Sequence, residues 1–536
     1  MPANDLQSFV RELEARGWLK RITCEVDPIL EITEITDRVT KAGGPALLFE
    51  NVKGSQFPLL INTFGTKERM CLALGCDDFE QLASRVKNII KPEIPTTLLQ
   101  KLKKLPELAQ LGSLPPKIVK RGICQEVVHT TDADLTKLPV IKCWPEDGNV
   151  ARMVNDGTAK ETWSRLINAA TSDSTSEHGS QSRGTPNVLT DELFLPTENT
   201  VPGRYITLGA IFTKHPETND RNIGMYRVQV FGPKHAAMHW HMHHDGARHF
   251  RAYRERNEKM PVAIALGGPA LTPYAATCPL PPGIDECLFA GFLSGKAMEL
   301  VPCVSQENLE VPATAEFVIE GYIDPKEELI LEGPFGDHTG FYSMADMFPQ
   351  LHVTAITHRA NPIYPTTIVG KPPQEDFWLG KATERIFLPL LQMIIPDIID
   401  YNLPMFGCFH NCAFVKIKKD YPLQARRVMS AIWGAGQMAF TKIIVVVDHT
   451  VDVHNEDEVL FHLCANVDPK RDVMMIDGPL DILDHATPVC GAGSKMGIDA
   501  TRKISGEGQI RAWPDELEMS ADIRDRVTRR WSEYGL

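Results

Sequence analysis

Apolar side chains near the start of the chain recur three and four residues apart. Leu6, Phe9, Val10 and Leu13 share one helical face, and Gly17 closes the run. A second helix is predicted over Leu30–Lys41, followed by strand-like ALLFENV and PLLINTF. A third helix, capped by Asp77 or Asp78, runs to Ile90. Lys91–Lys120, rich in Pro, Lys and Leu, reads as a helical connector. The period then shortens to two. VVHTT, YITLGAIFT, VAIALG, ELVPCV and AEFVIEGYI are short strands with close turns, the pattern of an antiparallel sheet or small barrel. From Gln350 strand and helix alternate: LHVTAITH, PTTIVG, a helix over 377–398, CAFVKIK, a helix over 422–433, KIIVVVD and VMMID. That order predicts crossover units on a largely parallel sheet. Asp515–Tyr534 reads as a charged amphipathic terminal helix suited to a partner subunit or its own domain.

These elements make a mixed α/β (α+β) chain of three domains. An N-terminal small α/β domain covers 1–125, a central antiparallel split-barrel-like domain 126–345, and a C-terminal α/β domain with an oligomerisation helix 346–536. Within the central part, 149–202 is a polar, aperiodic tract read as a surface insertion, with a flap as the alternative.

The middle of the chain is organised around 222–245, NIGMYRVQVFGPKHAAMHWHMHHD. A strand over Ile223–Phe231, a Gly232-Pro233-Lys234 turn and a strand over Ala236–Met242 predict a hairpin. Alternation would put His239, His241 and His243 on one face, with Trp240, Met242 and His244 on the other.

Composition narrows the classes. The 56 basic and 69 acidic residues give a net charge of −13, which argues against a nucleic-acid surface. No cationic leader followed by an apolar run opens the sequence, and no apolar stretch is long enough to span a bilayer. Membrane association is therefore expected to be peripheral at most. Twelve cysteines without paired spacing fit reduced thiols in a cytoplasm. Cys408-x-His410-x-Cys412 is the one cysteine–histidine cluster, without a second ligand pair nearby.

Three groups have residue types suited to chemistry. Asn222, one imidazole (His243) and Glu286 offer ligands for Mn²⁺ or Mg²⁺ beside a phosphorylated cofactor; alternatively Asn222 begins a strand and Glu286 sits in a helical first turn. Glu332 and Asp337 flank a Gly-Pro-Phe-Gly turn, and with Arg227 would titrate as a coupled set, one carboxyl staying protonated near neutrality. A solvated acidic turn is the plainer reading. Gly491-Ala-Gly-Ser-Lys-Met-Gly lacks phosphate-loop spacing and is read as a structural loop.

In order along the chain, NIGMYRVQVFGP, ALGGPALTPYAATCPLPPGIDECLFAGFLSGK, ENLEVPATAEFVIEGYI, EGPFGDHTGFY, PTTIVGKPPQED and GAGSKMGIDATRK resemble the signature segments of the UbiD decarboxylase family. The resemblance implies reversible, non-oxidative decarboxylation of an aromatic or α,β-unsaturated acid with prenylated FMN, supplied by a flavin prenyltransferase, in a homodimer or homohexamer. It implies Asn222, His243 and Glu286 as ligands of Mn²⁺ (or Mg²⁺), with K⁺ nearby. Met225, Tyr226, Arg227, His239, Trp240, His241, His244 and Asp245 match cofactor-contacting positions. Glu332, Arg227 and Asp337 match the acid–arginine–acid network, Asp337 as proton donor and Arg227 as a fork for the substrate carboxylate. Aspartate at 337 is similar to the hydroxybenzoate branch, so a 4-hydroxybenzoate, 3-polyprenylated as in ubiquinone biosynthesis, is the first substrate and a soluble phenolic or heteroaromatic acid the second. The family pattern has arginines where this chain has His239 and His244, and glycine where it has Asp245; histidines hold phosphate more weakly and pH-dependently. Two other classes compete: a zinc hydrolase on the histidine strand, and a non-catalytic flavin-binding protein.

Overall fold

The computed structural model describes residues 2–90, 114–149, 203–241, 244–280 and 283–536. His243, the 91–113 part of the connector and the polar tract beyond Asn149 lie outside the described residues. Two compact units result. One comprises Met1–Met393, Met405–Phe409 and Ile482–Ala486; the other comprises Ile394–Pro404, His410–Asp481 and Thr487–Leu536.

In the first unit, helix Leu6–Ala15 starts where the Asp5 carboxylate accepts a hydrogen bond from the Ser8 amide, and it buries Leu6, Phe9, Val10 and Leu13. Each such side chain contributes about 1.5–3 kcal/mol on full burial. Strands Leu19–Val26, Ala46–Val52, Leu59–Ile61 and Tyr364–Pro365 form a four-stranded sheet.

The principal sheet has nine strands, joined by antiparallel pairs. Its main path runs Arg204–Ile206, Val228–Gly232, His235–Met238, Gln350–His358, Ala315–Ile323, Met260–Gly267, Ala210–Lys214, Arg221–Met225. The chain therefore passes from Arg221–Met225, at one end of this order, to Val228–Gly232, near the other, with only Tyr226 and Arg227 between. Two residues cannot bridge a flat sheet of that width. The sheet must curl until its ends meet, and Tyr226 and Arg227 sit at the seam.

This corrects the predicted hairpin. Its first strand is two strands belonging to opposite ends of the sheet, and its second stops at Met238 rather than Met242. Alternation persists across the break, so periodicity could not reveal it. Gln350–His358, assigned by pattern to the alternating C-terminal section, is a central strand of the antiparallel sheet. PTTIVG contributes no strand of its own; only Tyr364–Pro365 pairs there.

The second unit has a sheet ordered Ile398–Asn402, Cys412–Ile417, Ile443–Asp448, Ala492–Asp499, Val473–Pro479. The inner pairs are parallel and the outer ones antiparallel, so it is mixed rather than largely parallel. The Gly491–Gly497 stretch is not a loop: most of it forms the Ala492–Asp499 strand. The terminal helix spans Ala521–Arg529 and has no buried residue. Among the described residues no helix is long and apolar enough to cross a membrane. All twelve cysteines are free thiols.

Candidate active site

Arg227 enters the interior directly from the seam. Its Nε and Nη2 donate to Glu332 Oε1 and Oε2 at 2.8 and 3.0 Å, Nη1 donates to Asp337 Oδ2 at 2.6 Å, and Nη2 also donates to Ser343 Oγ at 3.0 Å. The guanidinium lies 4.8 Å from the centre of the Phe335 ring. A guanidinium has five N–H groups, and these four bonds leave one. The fork expected for a substrate carboxylate is thus occupied by Glu332.

Glu332 and Asp337 come from a turn and short hairpin, Ile330–Glu332 and Phe335–Gly336 pairing with Asp346–Phe348 and Tyr342–Ser343. Burial pushes Glu332 up, but Arg227 and His239 outweigh it and hold the carboxyl at about 2. Burial likewise raises Asp337, and His338 and Arg227 more than reverse this, leaving it well below the ordinary range. Both carboxyls are therefore ionised near neutrality. The expected protonated partner is absent because the Arg227 charge and hydrogen bonds to two imidazoles favour the ionised form of both carboxyls.

His239 Nδ1 lies 2.8 Å from Glu332 Oε2, and its Nε2 lies 2.6 Å from His241 Nε2. Burial and the Arg227 charge keep His239 neutral. With Nδ1–H donating to Glu332, His239 Nε2 accepts and His241 Nε2–H donates. Burial and the adjacent imidazoles drive His241 down to about 2, so it is neutral too. His241 stacks on His244 with centroids 4.9 Å apart, and His244 faces Tyr226 at 4.8 Å. His244 thus joins the His241 side, contrary to strict alternation, because the strand has ended and His244 caps helix Asp245–Arg256. Trp240 points into the core against Tyr226 and Phe250. Asp245 pairs with Arg248 at 3.0 Å. Met225 closes its strand and packs against core side chains, its amide donating to Ala276 O.

Asn222 and Glu286 meet at the same edge. Glu286 opens helix Glu286–Ser294, whose N-cap Asp285 accepts from the Cys287 amide, and Glu286 Oε2 accepts from the Ile223 amide at 3.0 Å. Asn222 is buried and its Nδ2 has no close hydrogen-bond partner among the described residues. Tyr226 folds back over Gly224, where any Cβ would fall 2.2 Å from the ring. Burial lifts Glu286 to about 8, and no cationic side chain among the described residues pairs with it. A buried carboxyl lacking a counter-charge suits a hard cation, and the Asn222 side-chain oxygen, rather than its N–H₂ donor, is the atom that could join it. The described residues contain no cluster of three His, Cys, Asp or Glu side chains placed for a metal.

Pattern reading passed over the brace behind the turn. Asp147, fully buried, accepts from the Gly336 amide at 2.7 Å and the Trp144 amide at 2.8 Å. The Trp144 indole covers Gly336, where a Cβ would fall 2.1 Å from the ring. The signal available was Trp144-Pro-Glu-Asp-Gly148, a turn with an aromatic anchor immediately before the polar tract.

Three family models match the sequence: the 3-octaprenyl-4-hydroxybenzoate carboxy-lyase N-terminal domain over 10–86, its Rift-related domain over 195–372 and its C-terminal domain over 377–500, all of the UbiD type. An uncharacterised protein of Aquifex aeolicus is 46% identical over 534 residues, covering 99% of each chain. The vanillic acid decarboxylase of Sedimentibacter hydroxybenzoicus in closed form is similar with a TM-score of 0.78 and 26% identity, over 100% of this chain and 99% of that one. The UbiD-class enzyme HmfF of Pelotomaculum thermopropionicum, solved with FMN, gives 0.70 and 25% over 95% and 97%.

Proposed function

The chain belongs to the UbiD family, a carboxy-lyase family, and from that premise we propose that it decarboxylates a 4-hydroxybenzoate-type aromatic acid using prenylated FMN held through Mn²⁺. The observation carrying the reading is the Arg227–Glu332–Asp337 network at the sheet seam, five residues along the chain from the Asn222–Glu286 corner. Asn222, Glu286 and His243 would hold the cation and, through it, the cofactor phosphate. His241, His244 and Tyr226 would line the flavin, with His239 and His244 standing where the family pattern has arginines. When bound, the prenylated flavin supplies the electron sink that no side chain offers for the pair left by CO₂ departing an sp² carbon.

The remaining roles fall to this chain's own residues. Arg227 offers its one unengaged N–H to the substrate carboxylate. Glu332 holds the guanidinium plane, and His239 holds Glu332. Asp337 accepts a proton in its ionised state and delivers it to the ring carbon after CO₂ leaves. The hydroxybenzoate assignment rests on aspartate at 337 and on the likeness to a vanillic acid decarboxylase. The exposed apolar side chains of the terminal segment, Leu517 and Trp531 among them, support a homo-oligomer.

Expression with and without a flavin prenyltransferase, followed by absorbance spectra and a CO₂-release screen over hydroxybenzoates, tests the proposal. Turnover is expected only in the co-expressed preparation. Equal turnover in both would remove the cofactor assignment.

A further inference from the structure

The cation corner joins two separate elements, so its geometry depends on what ties them together. Asn222 stands on strand Arg221–Met225, and Glu286 opens helix Glu286–Ser294. Their immediate predecessors meet directly: Arg221 Nη1 donates to Asp285 Oδ2 at 2.6 Å. Asp285 Oδ1 accepts from the Cys287 amide at 2.7 Å, so one carboxylate both starts the helix and grips the strand. Neighbouring side chains on a strand take opposite faces. Arg221 therefore reaches Asp285 without competing with Asn222 for the cation.

The pair is anchored in turn. Arg221 Nη2 donates to Glu310 Oε2 at 2.6 Å, and Lys214, opposite Arg221 on the adjoining strand, donates to Glu310 Oε1 at 2.9 Å. The Arg221 and Asp285 side chains are 11% and 26% exposed, shielded enough for a guanidinium between two carboxylates to hold one arrangement. Two cations face two carboxylates, so the set carries no net charge, and what it gives the corner is placement rather than field. The other polar link between strand and helix is the Ile223 amide bond to Glu286 Oε2 at 3.0 Å, which occupies an oxygen of the presumptive ligand itself.

We propose that Arg221 and Asp285 are positioning residues that set the reach between the Asn222 side-chain oxygen and the Glu286 carboxylate, and so determine affinity for the divalent cation. A hard cation takes its oxygens over a narrow range of distances, and the groups behind its ligands orient them. The inference rests on the reading of Asn222 and Glu286 as cation ligands.

Removing Arg221 separates placement from field by sign. Loss of a positive charge near the corner should tighten cation binding if only the field matters, whereas loss of the tie should weaken it. Affinity is read from the electron paramagnetic resonance signal of free Mn²⁺, titrated against the full chain with saturating FMN as the phosphate-bearing probe. Arg221→Gln is expected to weaken Mn²⁺ binding about 10–100-fold. Lys214→Gln removes the same charge but leaves both Arg221 bonds, and should bind as wild type does. Arg221→Lys keeps the charge without the fork and should fall between them, which decides the matter even if Arg221→Gln folds poorly. Wild-type or tighter affinity in either Arg221 variant overturns the positioning role, as does an equal loss in Lys214→Gln. A wild type that binds no Mn²⁺, or binds it no better than Glu286→Gln, would instead remove the cation reading of the corner, and this inference with it.

Discussion

On the Glu332 side of the seam the buried charges have charged protein partners, whereas on the Glu286 side a buried carboxyl has no counter-charge among the described residues. Glu332 takes two bonds from Arg227 and one from His239 and stays ionised to about pH 2. Glu286 takes one backbone bond and is pushed up to about 8. Both sit in low-dielectric surroundings; the difference lies in who provides the counter-charge. A network complete in itself is preorganised to position a substrate and move a proton. A carboxyl left without a counter-charge is a place where an added cation lowers the free energy.

Removing the arginine breaks this contrast most sharply. Arg227→Ala leaves two buried carboxyls without their counter-charge and should lower stability by about 3–5 kcal/mol, read by urea denaturation, and abolish turnover. Unchanged stability would mean the network is not formed in solution. Asp337→Asn and Glu332→Gln test function with less damage: turnover should fall about 10²–10⁴-fold while the flavin spectrum persists. Normal turnover in either would strip that residue of its role.

The opposite corner is sharpened by metal. Mn²⁺ at a hundredfold excess over its dissociation constant should stabilise the protein by about 2.7 kcal/mol, seen as a raised Tm, and Glu286→Gln should erase the shift. An identical rise in the variant would place the cation elsewhere. Acid gives the mildest probe. The folded-state pKa of Glu332 is depressed from 4.5 to about 2, so its contribution is complete above about 4.5 and is lost as pH falls through about 2. Unfolding free energy should decline over that window in wild type and less steeply in Glu332→Gln. Parallel curves would show that Glu332 is not paired as described.

Much of the local structure was legible in the pattern. The face of helix Leu6–Ala15, the Leu30–Lys41 helix, apart from its first residue, and the long helix from Asp376 follow from spacing and end signals, which act within a turn or two. Six ordered motifs were enough to point to the family. The site was legible as a roster of residue types, with Asp147 and Ser343 missing: Trp144–Gly148 marks a turn, but its burial and its partners lie too far along the chain to read locally.

Sequence alone determined which segments could be helix or strand, that the chain is a member of a decarboxylase family, and which acids, imidazoles and arginine it has to work with. Tertiary structure decided that Tyr226 and Arg227 split one apparent strand between the two ends of a curled sheet, that His239 serves Glu332, and that both network carboxyls are charged. The reason is range. Side-chain periodicity is set by neighbours within a few residues, whereas strand pairing and charge state depend on partners such as Arg227 and Glu332, 105 positions apart.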